Sequence, residues 1–131
     1  MQTYKQKNNK ETYSNHWSTP KEIYDHYVTN QNYFDPCPLH GDDFDFKHIN
    51  QDVFINPPYS RDQIDRWIDW AITQKIVYNK NVVLLLPART DTKWFWKMFD
   101  HGCDIEFIKG RLKFGDASSG APFPSVLVHL L

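Results

Sequence analysis

The chain has 131 residues, 16% of them aromatic, and a formal net charge of −1. A chain of this length forms one domain with a single core, and its charge balance excludes tight non-specific DNA binding, which needs a basic surface. Two cysteines exclude a disulfide framework, and no apolar run is long enough for a membrane span, so we expect a cytoplasmic protein with no membrane partner.

The N-terminal part of the chain predicts a flexible arm followed by one short helix. Residues 1–15 are polar and lack periodicity, which is typical of a loose arm. Thr19 is the predicted N-cap of a helix that reaches about Val28. Pro20 then occupies the first helical position and Glu22 the capping-box position.

A strand-like run and a buried strand follow this helix. The run Tyr33–Phe34 must turn at Asp35–Pro38, because two prolines cannot continue a central strand. Residues 39–51 are acidic and predict a loop. The apolar segment Val53–Ile55 predicts a buried strand that ends at the motif described below.

The clearest helix begins at Ser60, a predicted N-cap with Gln63 three residues later. Its apolar residues recur at helical spacing: Ile64, Trp67, Ile68, Ala71, Ile72 and Ile76. The continuous apolar run Val82–Leu86 predicts a central strand that is covered on both faces.

The last part of the chain predicts one helix and two strands. Thr90 or Asp91 is expected to cap the helix, which ends near Gly102. Strands are predicted at 105–108 and 125–130, with no helix between them, which indicates an antiparallel pair at one edge. Helices and strands that alternate in this way predict an α/β fold.

The tetrapeptide Asn56–Tyr59 carries the chemistry that can be inferred from the sequence. It lies where a buried strand ends and a helix begins, which is where open α/β sheets bind ligands. Pro57 and Pro58 make the turn rigid and remove two backbone donors, so that acceptors remain. The alternative is a plain Pro-Pro turn that is followed by an aromatic residue and capped by Ser60.

Methylation of an aromatic amine needs such acceptors, because the nitrogen lone pair is delocalised into the ring. The Asn56 side-chain oxygen and the Pro57 carbonyl would hold the two hydrogens of the amine and favour a pyramidal nitrogen. Such positioning lowers the barrier to reaction. Tyr59 would stack on the base.

Six segments around this motif occur in an informative order: Trp17–Pro20, Phe34–Cys37, Asn56–Ser60, Leu84–Thr92 with Trp94, Gly110–Phe114 and Ala121–Ser125. Together they resemble the phage-encoded DNA N6-adenine methyltransferase (Dam) family. The resemblance implies a compact Rossmann-like methyltransferase fold, with a mostly parallel sheet, an antiparallel edge pair and helices on both faces. It also implies that residues 16–131 form one catalytic domain, without a separate target-recognition domain.

The activity that the resemblance implies is transfer of a methyl group from S-adenosylmethionine to the exocyclic amine of adenine in DNA. The implied cofactor-binding residues are Trp17, Thr19, Pro20, Asp35, Pro36, Cys37 and Asn56, and the implied catalytic residues are Asn56, Pro57, Pro58 and Tyr59. Thr19 as a plain helix cap and Asp35 as a plain turn residue are the simpler alternatives. The glycine-rich cofactor loop of larger methyltransferases is missing, so the ribose partner stays open among Asp42, Asp43, Asp45 and Asp52.

Five residues are candidates for contact with the DNA substrate: Ser60, Arg89, Thr90, Arg111 and Lys113. Arg89 follows a central strand at the ligand-binding edge, but a solvated arginine beside a helix cap explains it equally well. Arg111 and Lys113 alternate with apolar residues as in an edge hairpin, whose charged side chains are often only solvated. Loop 115–121 either closes over the substrate or is simply flexible.

The sequence is also compatible with functions other than adenine methylation. Cys37 and His40 have a plausible metal spacing, but no second pair accompanies them, so we expect no metal site. Methylation of cytosine N4 or an RNA base, a relative that binds without turnover and a plain interaction module are the alternative functions. Target recognition would come from loops, from a partner or from a second copy of the chain in a homodimer.

Overall fold

The computed structural model describes residues 17–37, 44–114 and 120–131. In chain order its elements are α1 (Lys21–Tyr24), a π-helical turn that continues it (Asp25–Thr29), β1 (Val53–Ile55), α2 (Arg61–Ile76), β2 (Val82–Pro87), α3 (Lys93–His101), β3 (Cys103–Phe107) and β4 (Ser125–Leu130). The predicted arm at 1–15 and parts of the predicted loops, residues 39–43 and 115–119, lie outside the described residues.

The strands form one sheet in the order β1-β2-β4-β3. β1 pairs with β2 in parallel, and Phe34 extends this parallel arrangement by a single bridge to Val53. β4 is antiparallel to both of its neighbours, so β1, β2 and β3 all point in the same direction. The predicted α/β class and antiparallel edge pair are confirmed.

The prediction of a mostly parallel sheet is right in that three of the four strands, β1, β2 and β3, point in the same direction. It is wrong about which strands are hydrogen-bonded to each other. Two of the three ladders are antiparallel, because β4 lies between β2 and β3 instead of outside them. Residues 125–130 are apolar at almost every position, and five of these six residues are buried. This pattern suits a central strand that is covered on both faces.

Both faces of the sheet are covered, as predicted. One face packs against the buried sides of α2 and α3, through Trp67, Ile68, Trp94 and Met98 among others. The other face, with Phe54, Val83, Leu85 and Leu127, packs against Tyr27 in the turn after α1 and against Phe114 and Ala121. Every residue of β1 is buried, so the Asn56–Tyr59 turn directly follows a strand that lies in the core.

Helix α2 buries the apolar face that its sequence predicts, with three differences, one of which is that the polar residue Gln74 is also buried. Trp70 is also buried, and its indole N–H donates to the Lys47 carbonyl at 3.0 Å. Ile76, the last residue of the helix, is exposed. None of the helices in the described ranges is long and apolar enough to cross a lipid bilayer.

The helix caps differ from the predictions in three places. Pro20, not Thr19, is the N-cap of α1, and Thr19 uses its hydroxyl elsewhere. Ser60 is the N-cap of α2 as predicted, but its side chain makes no capping hydrogen bond, so the predicted capping box is wrong. The N-cap of α3 is Thr92, whose Oγ1 accepts from the Phe95 N–H at 3.4 Å.

The prediction that Thr90 or Asp91 caps α3 is therefore wrong, although all three residues have capping side chains. The Thr92 hydroxyl also donates to the Arg89 carbonyl at 2.7 Å, and this closes the turn that precedes the helix. The predicted end of the helix at Gly102 is confirmed. Gly102 has a φ of 101° and donates its N–H to the Met98 and Phe99 carbonyls.

Candidate active site

The Asn56–Tyr59 turn lies at the carboxyl end of β1, as predicted. Because β1, β2 and the bridge at Phe34 are parallel, Asp35–Cys37 and Pro87–Arg89 come to the same edge of the sheet. Ser125 pairs with Pro87 and brings Pro122–Pro124 there as well. The sheet thus gathers four of the segments that the sequence singled out.

The Asn56 side chain is fully engaged in hydrogen bonds and only 1% exposed. Its Nδ2 donates to the Trp17 carbonyl and, at 2.9 Å, to the Thr19 hydroxyl. Its Oδ1 accepts from the Tyr59 hydroxyl at 2.8 Å. Two acceptors on one side and one donor on the other fix the orientation of the amide, with its oxygen toward Tyr59.

Tyr59 is buried behind this amide, with 3% of its surface exposed. Its hydroxyl also lies 3.2 Å from the Leu85 carbonyl of β2, and burial raises the pKa of the phenol. The ring packs edge-on against Phe123, with 5.7 Å between centroids. A base can stack on Tyr59 only if the ring first leaves these contacts.

Asp35–Cys37 is tied to the same turn through the backbone. The Cys37 thiol donates to the Asn56 carbonyl at 3.2 Å, and the Cys37 N–H donates to the Asp35 carboxylate at 3.1 Å. Burial raises the pKa of Asp35 to about 6, and this N–H only partly opposes the rise. Among the described residues no cationic side chain pairs with Asp35. A positively charged ligand could therefore pair with the Asp35 carboxylate.

Arg89 reaches the motif from the end of β2. Its Nη1 donates to the Tyr59 carbonyl at 3.3 Å, and its guanidinium carbon lies 5.8 Å from the centroid of the Phe123 ring. Thr90 is exposed, and its carbonyl accepts from the indole of Trp96 at 2.8 Å. The structure therefore brings Arg89 to the site and turns the Thr90 backbone toward α3.

Arg111 and Lys113 do not lie on a strand, so the predicted edge hairpin is wrong there. Arg111 donates to the Ala121 carbonyl at 3.4 Å, and the Ala121 N–H donates to the Leu112 carbonyl at 2.8 Å. Gly120 must be glycine, because a Cβ there would lie 2.6 Å from the Cβ of Arg111. Lys113 is exposed.

An aromatic cluster that the sequence reasoning missed covers the motif. Phe123 lies 5.4 Å from Trp17, 5.7 Å from Tyr59 and 5.9 Å from Phe114, measured between ring centroids. The available signal was a phenylalanine between two prolines, Pro122 and Pro124, next to a central strand. It marks a rigid segment that holds one ring over the edge of the sheet.

No group of three metal-ligating side chains occurs among residues 17–37, 44–114 and 120–131. The Cys37 thiol is directed at the Asn56 carbonyl, and His40 lies outside the described ranges.

The fold defines an α/β protein with polar side chains at the carboxyl ends of its parallel strands, the position at which open α/β sheets bind ligands. Residues 6–126 match the family described as DNA N-6-adenine-methyltransferase (Dam), and the chain belongs to that family. The resemblance inferred from the ordered segments is thereby confirmed.

A curated relative, the DNA N-6-adenine-methyltransferase of Escherichia phage T1, is 36% identical over 63 residues. The match covers 48% of this chain and 25% of the phage protein, so the matched part is about a quarter of that relative's length. No solved structure gives a significant match.

Proposed function

We propose that this protein transfers a methyl group from S-adenosylmethionine to the N6 amine of adenine in DNA, on a compact Rossmann-like methyltransferase fold. The observation that carries the proposal is the Asn56 amide, which is fixed at a strand end with its oxygen beside an aromatic ring. Membership of the Dam family supports DNA as the substrate. A phage protein of this kind would work in the cytoplasm of its host.

The residues around Asp35 fit a cofactor that carries an ammonium group. The partly buried Asp35 carboxylate has a raised pKa and lacks a cationic partner among the described residues, so a bound cation would stabilise its charged form. Trp17 and Thr19 accept hydrogen bonds from the Asn56 side chain, and the Cys37 thiol donates to its carbonyl. Pro20 and Pro36 are the chain neighbours of Thr19 and Cys37 and complete the proposed cofactor-binding set. When bound there, S-adenosylmethionine supplies an electrophilic methyl group.

The turn itself would orient the amine. The Asn56 side-chain oxygen and the Pro57 carbonyl accept the two N6 hydrogens, and the nitrogen lone pair is thereby directed away from the ring plane. The nitrogen gains a methyl group and releases one proton, which becomes acidic once the nitrogen is alkylated. Tyr59 must give up its hydrogen bond to Asn56 before its ring can stack on the base.

The DNA side of the site requires the adenine to leave the duplex, because its amine is paired inside the stack. Arg89 is the best placed of the proposed DNA-contacting residues, since its guanidinium already borders Tyr59 and Phe123. Ser60 follows the turn directly and has a buried hydroxyl with no partner among the described residues. Thr90, Arg111 and Lys113 would contribute contacts to the DNA backbone.

The test is incubation with unmethylated DNA and S-adenosylmethionine, followed by mass spectrometry of the digested nucleosides. We expect N6-methyladenine from the wild type and at least a roughly 100-fold lower rate from Asn56→Ala, because one acceptor for the amine is lost. Asn50→Ala, which changes an exposed asparagine, is the matched control and should keep the full rate.

The same substitution also tests the contacts of the Asn56 amide. Since Nδ2 holds Trp17 and Thr19, Asn56→Ala should also weaken cofactor binding in calorimetry. Full activity of this variant would refute the proposed role. Cofactor binding without methylated product from the wild type would favour a binding protein without turnover.

A further inference from the structure

A cleft of about 460 Å³ lies between the first turns of α2 and α3, and the proposed reaction uses none of its charged residues. Its volume falls in the range of about 300–1,000 Å³ that is usual for ligand pockets. It is lined by residues from the start of α2 and the start of α3: Arg61, Asp62, Asp65, Thr92, Lys93 and Trp94. Among these six residues, Trp94 is aromatic and buried.

The cleft opens at the same edge of the sheet as the Asn56–Tyr59 turn. Arg61 is two residues beyond Tyr59, and Thr92 is three residues beyond Arg89. Each helix is the next element after the carboxyl end of one of two adjacent parallel strands. A strand of DNA whose adenine reaches Asn56 must therefore pass close to this cleft.

The cations of the cleft are free to bind a ligand. Neither Arg61 nor Lys93 makes an ion pair or a side-chain hydrogen bond with any residue that the structure describes. The Asp65 carboxylate shares the Lys97 ammonium with Asp69, at distances of 2.9 and 2.7 Å. The lining thus carries two cations and two carboxylates, and of these four groups only Asp65 has a charged partner among the described residues. Arg61 and Lys93 are therefore available to an anionic ligand.

We infer that this cleft holds the phosphodiester backbone next to the target adenine, with Arg61 and Lys93 as the phosphate contacts. The inference rests on the proposed function and adds a site for the DNA strand to it. Phosphate contacts fix the register of a protein on DNA without reading its sequence. The two cations place the flanking backbone, and the adjacent turn receives the base.

The experiment measures DNA binding by the full chain at several salt concentrations, for the wild type, Arg61→Ala, Lys93→Ala and the double variant. Loss of one phosphate contact reduces the slope of log affinity against log salt by about 0.9. We expect that change in each single variant and about twice that change in the double variant, on every duplex sequence tested. Cofactor binding in calorimetry should stay unchanged.

Lys80→Ala is the matched control, because Lys80 precedes β2 at the opposite edge of the sheet. It should leave the salt slope as in the wild type. Equal slopes for the wild type and the double variant, with methylation intact, would overturn the cleft assignment and leave the proposed function standing. A wild type that neither binds nor methylates DNA would overturn both.

Discussion

The two segments that border the candidate site are held in different ways. In the Asn56–Tyr59 turn, both ends of the Asn56 amide have partners within the chain. In the Asp35–Cys37 segment, the Asp35 carboxylate has one backbone N–H and no cation among the described residues. Hydrogen bonds within the protein fix the first segment. In the second segment, the charged Asp35 carboxylate is desolvated without a cationic partner, and a positively charged ligand would offset that unfavourable free energy.

This difference separates the two halves of the proposed reaction. The amine side depends on the fixed geometry of acceptors, so its loss should appear mainly in turnover. The cofactor side depends on charge, so its loss should appear in binding and in pH dependence. Substitutions in each segment can therefore test whether the Asn56–Tyr59 turn controls turnover and the Asp35–Cys37 segment controls cofactor binding.

The largest effect is expected at Tyr59. Tyr59→Ala removes a buried aromatic ring, which costs about 3–5 kcal/mol of unfolding free energy, and it removes the surface on which the base would stack. Tyr59→Phe keeps the ring and loses only the hydroxyl contacts to Asn56 and Leu85, at about 1 kcal/mol. Thermal unfolding and methylation rates should be measured for both variants.

Tyr59→Phe should retain methylation, because Trp17 and Thr19 still hold the Asn56 amide. Loss of activity in Tyr59→Phe while the protein stays folded would show that the phenol is required. The amine side would then depend on more than the orientation of Asn56.

A smaller effect, visible in pH dependence, is expected at Asp35. Its folded pKa of about 6 lies above the ordinary value of 3.8, so its carboxyl contributes a stability that is present at low pH and lost as the pH rises through 6. Cofactor affinity should change in the opposite sense, because a cation prefers the ionised carboxylate. It should fall by up to about tenfold for each pH unit below 6.

Asp35→Asn should remove both pH effects and make the free protein more stable at pH 8 by about 1–3 kcal/mol. Calorimetric titration with S-adenosylmethionine from pH 5 to 8 measures the affinity, and thermal unfolding without it measures the stability. Asp104→Asn, on the exposed side of β3, is the control and should behave as the wild type. A pH-independent wild-type affinity would argue against Asp35 as the partner of the cofactor cation.

The strands and helices with an uninterrupted apolar pattern were the predictable part of the fold. Residues 125–130 form a strand with the predicted bounds, and the apolar face of α2 is buried except for its last residue. The caps were harder, because Thr90, Asp91 and Thr92 offer similar side chains and only the turn at Arg89 selects one of them. The central place of β4 depends on long-range pairing, which a local pattern does not encode.

The site could be predicted as a list of residues but not as a set of contacts. The position of Asn56 follows from the strand that precedes it, whereas its partners at Trp17 and Thr19 are 39 and 37 residues away. The cover formed by Phe123 likewise depends on β4 lying next to β2. These contacts arise from topology, so no spacing within the sequence reveals them.

The smallest expected effect is at Cys37, which joins the two segments. A weak S–H···O bond such as the one from its thiol to the Asn56 carbonyl is worth about 0.5–1 kcal/mol, which corresponds to roughly a threefold change in rate. We expect Cys37→Ala to lower kcat by about threefold with an unchanged KM for DNA, and to lower stability by about 1 kcal/mol. Cys37→Ser, which keeps a donor, should recover the rate.

Cys103→Ala is the matched control, since this partly exposed thiol lies on β3, outside the candidate site. It tests whether loss of any thiol lowers kcat. A rate in Cys37→Ala equal to that of the wild type, with the expected loss of stability, would mean that the thiol only fills space. The two segments would then act independently. A lower rate that Cys37→Ser restores would mean that the cofactor segment also positions the catalytic turn.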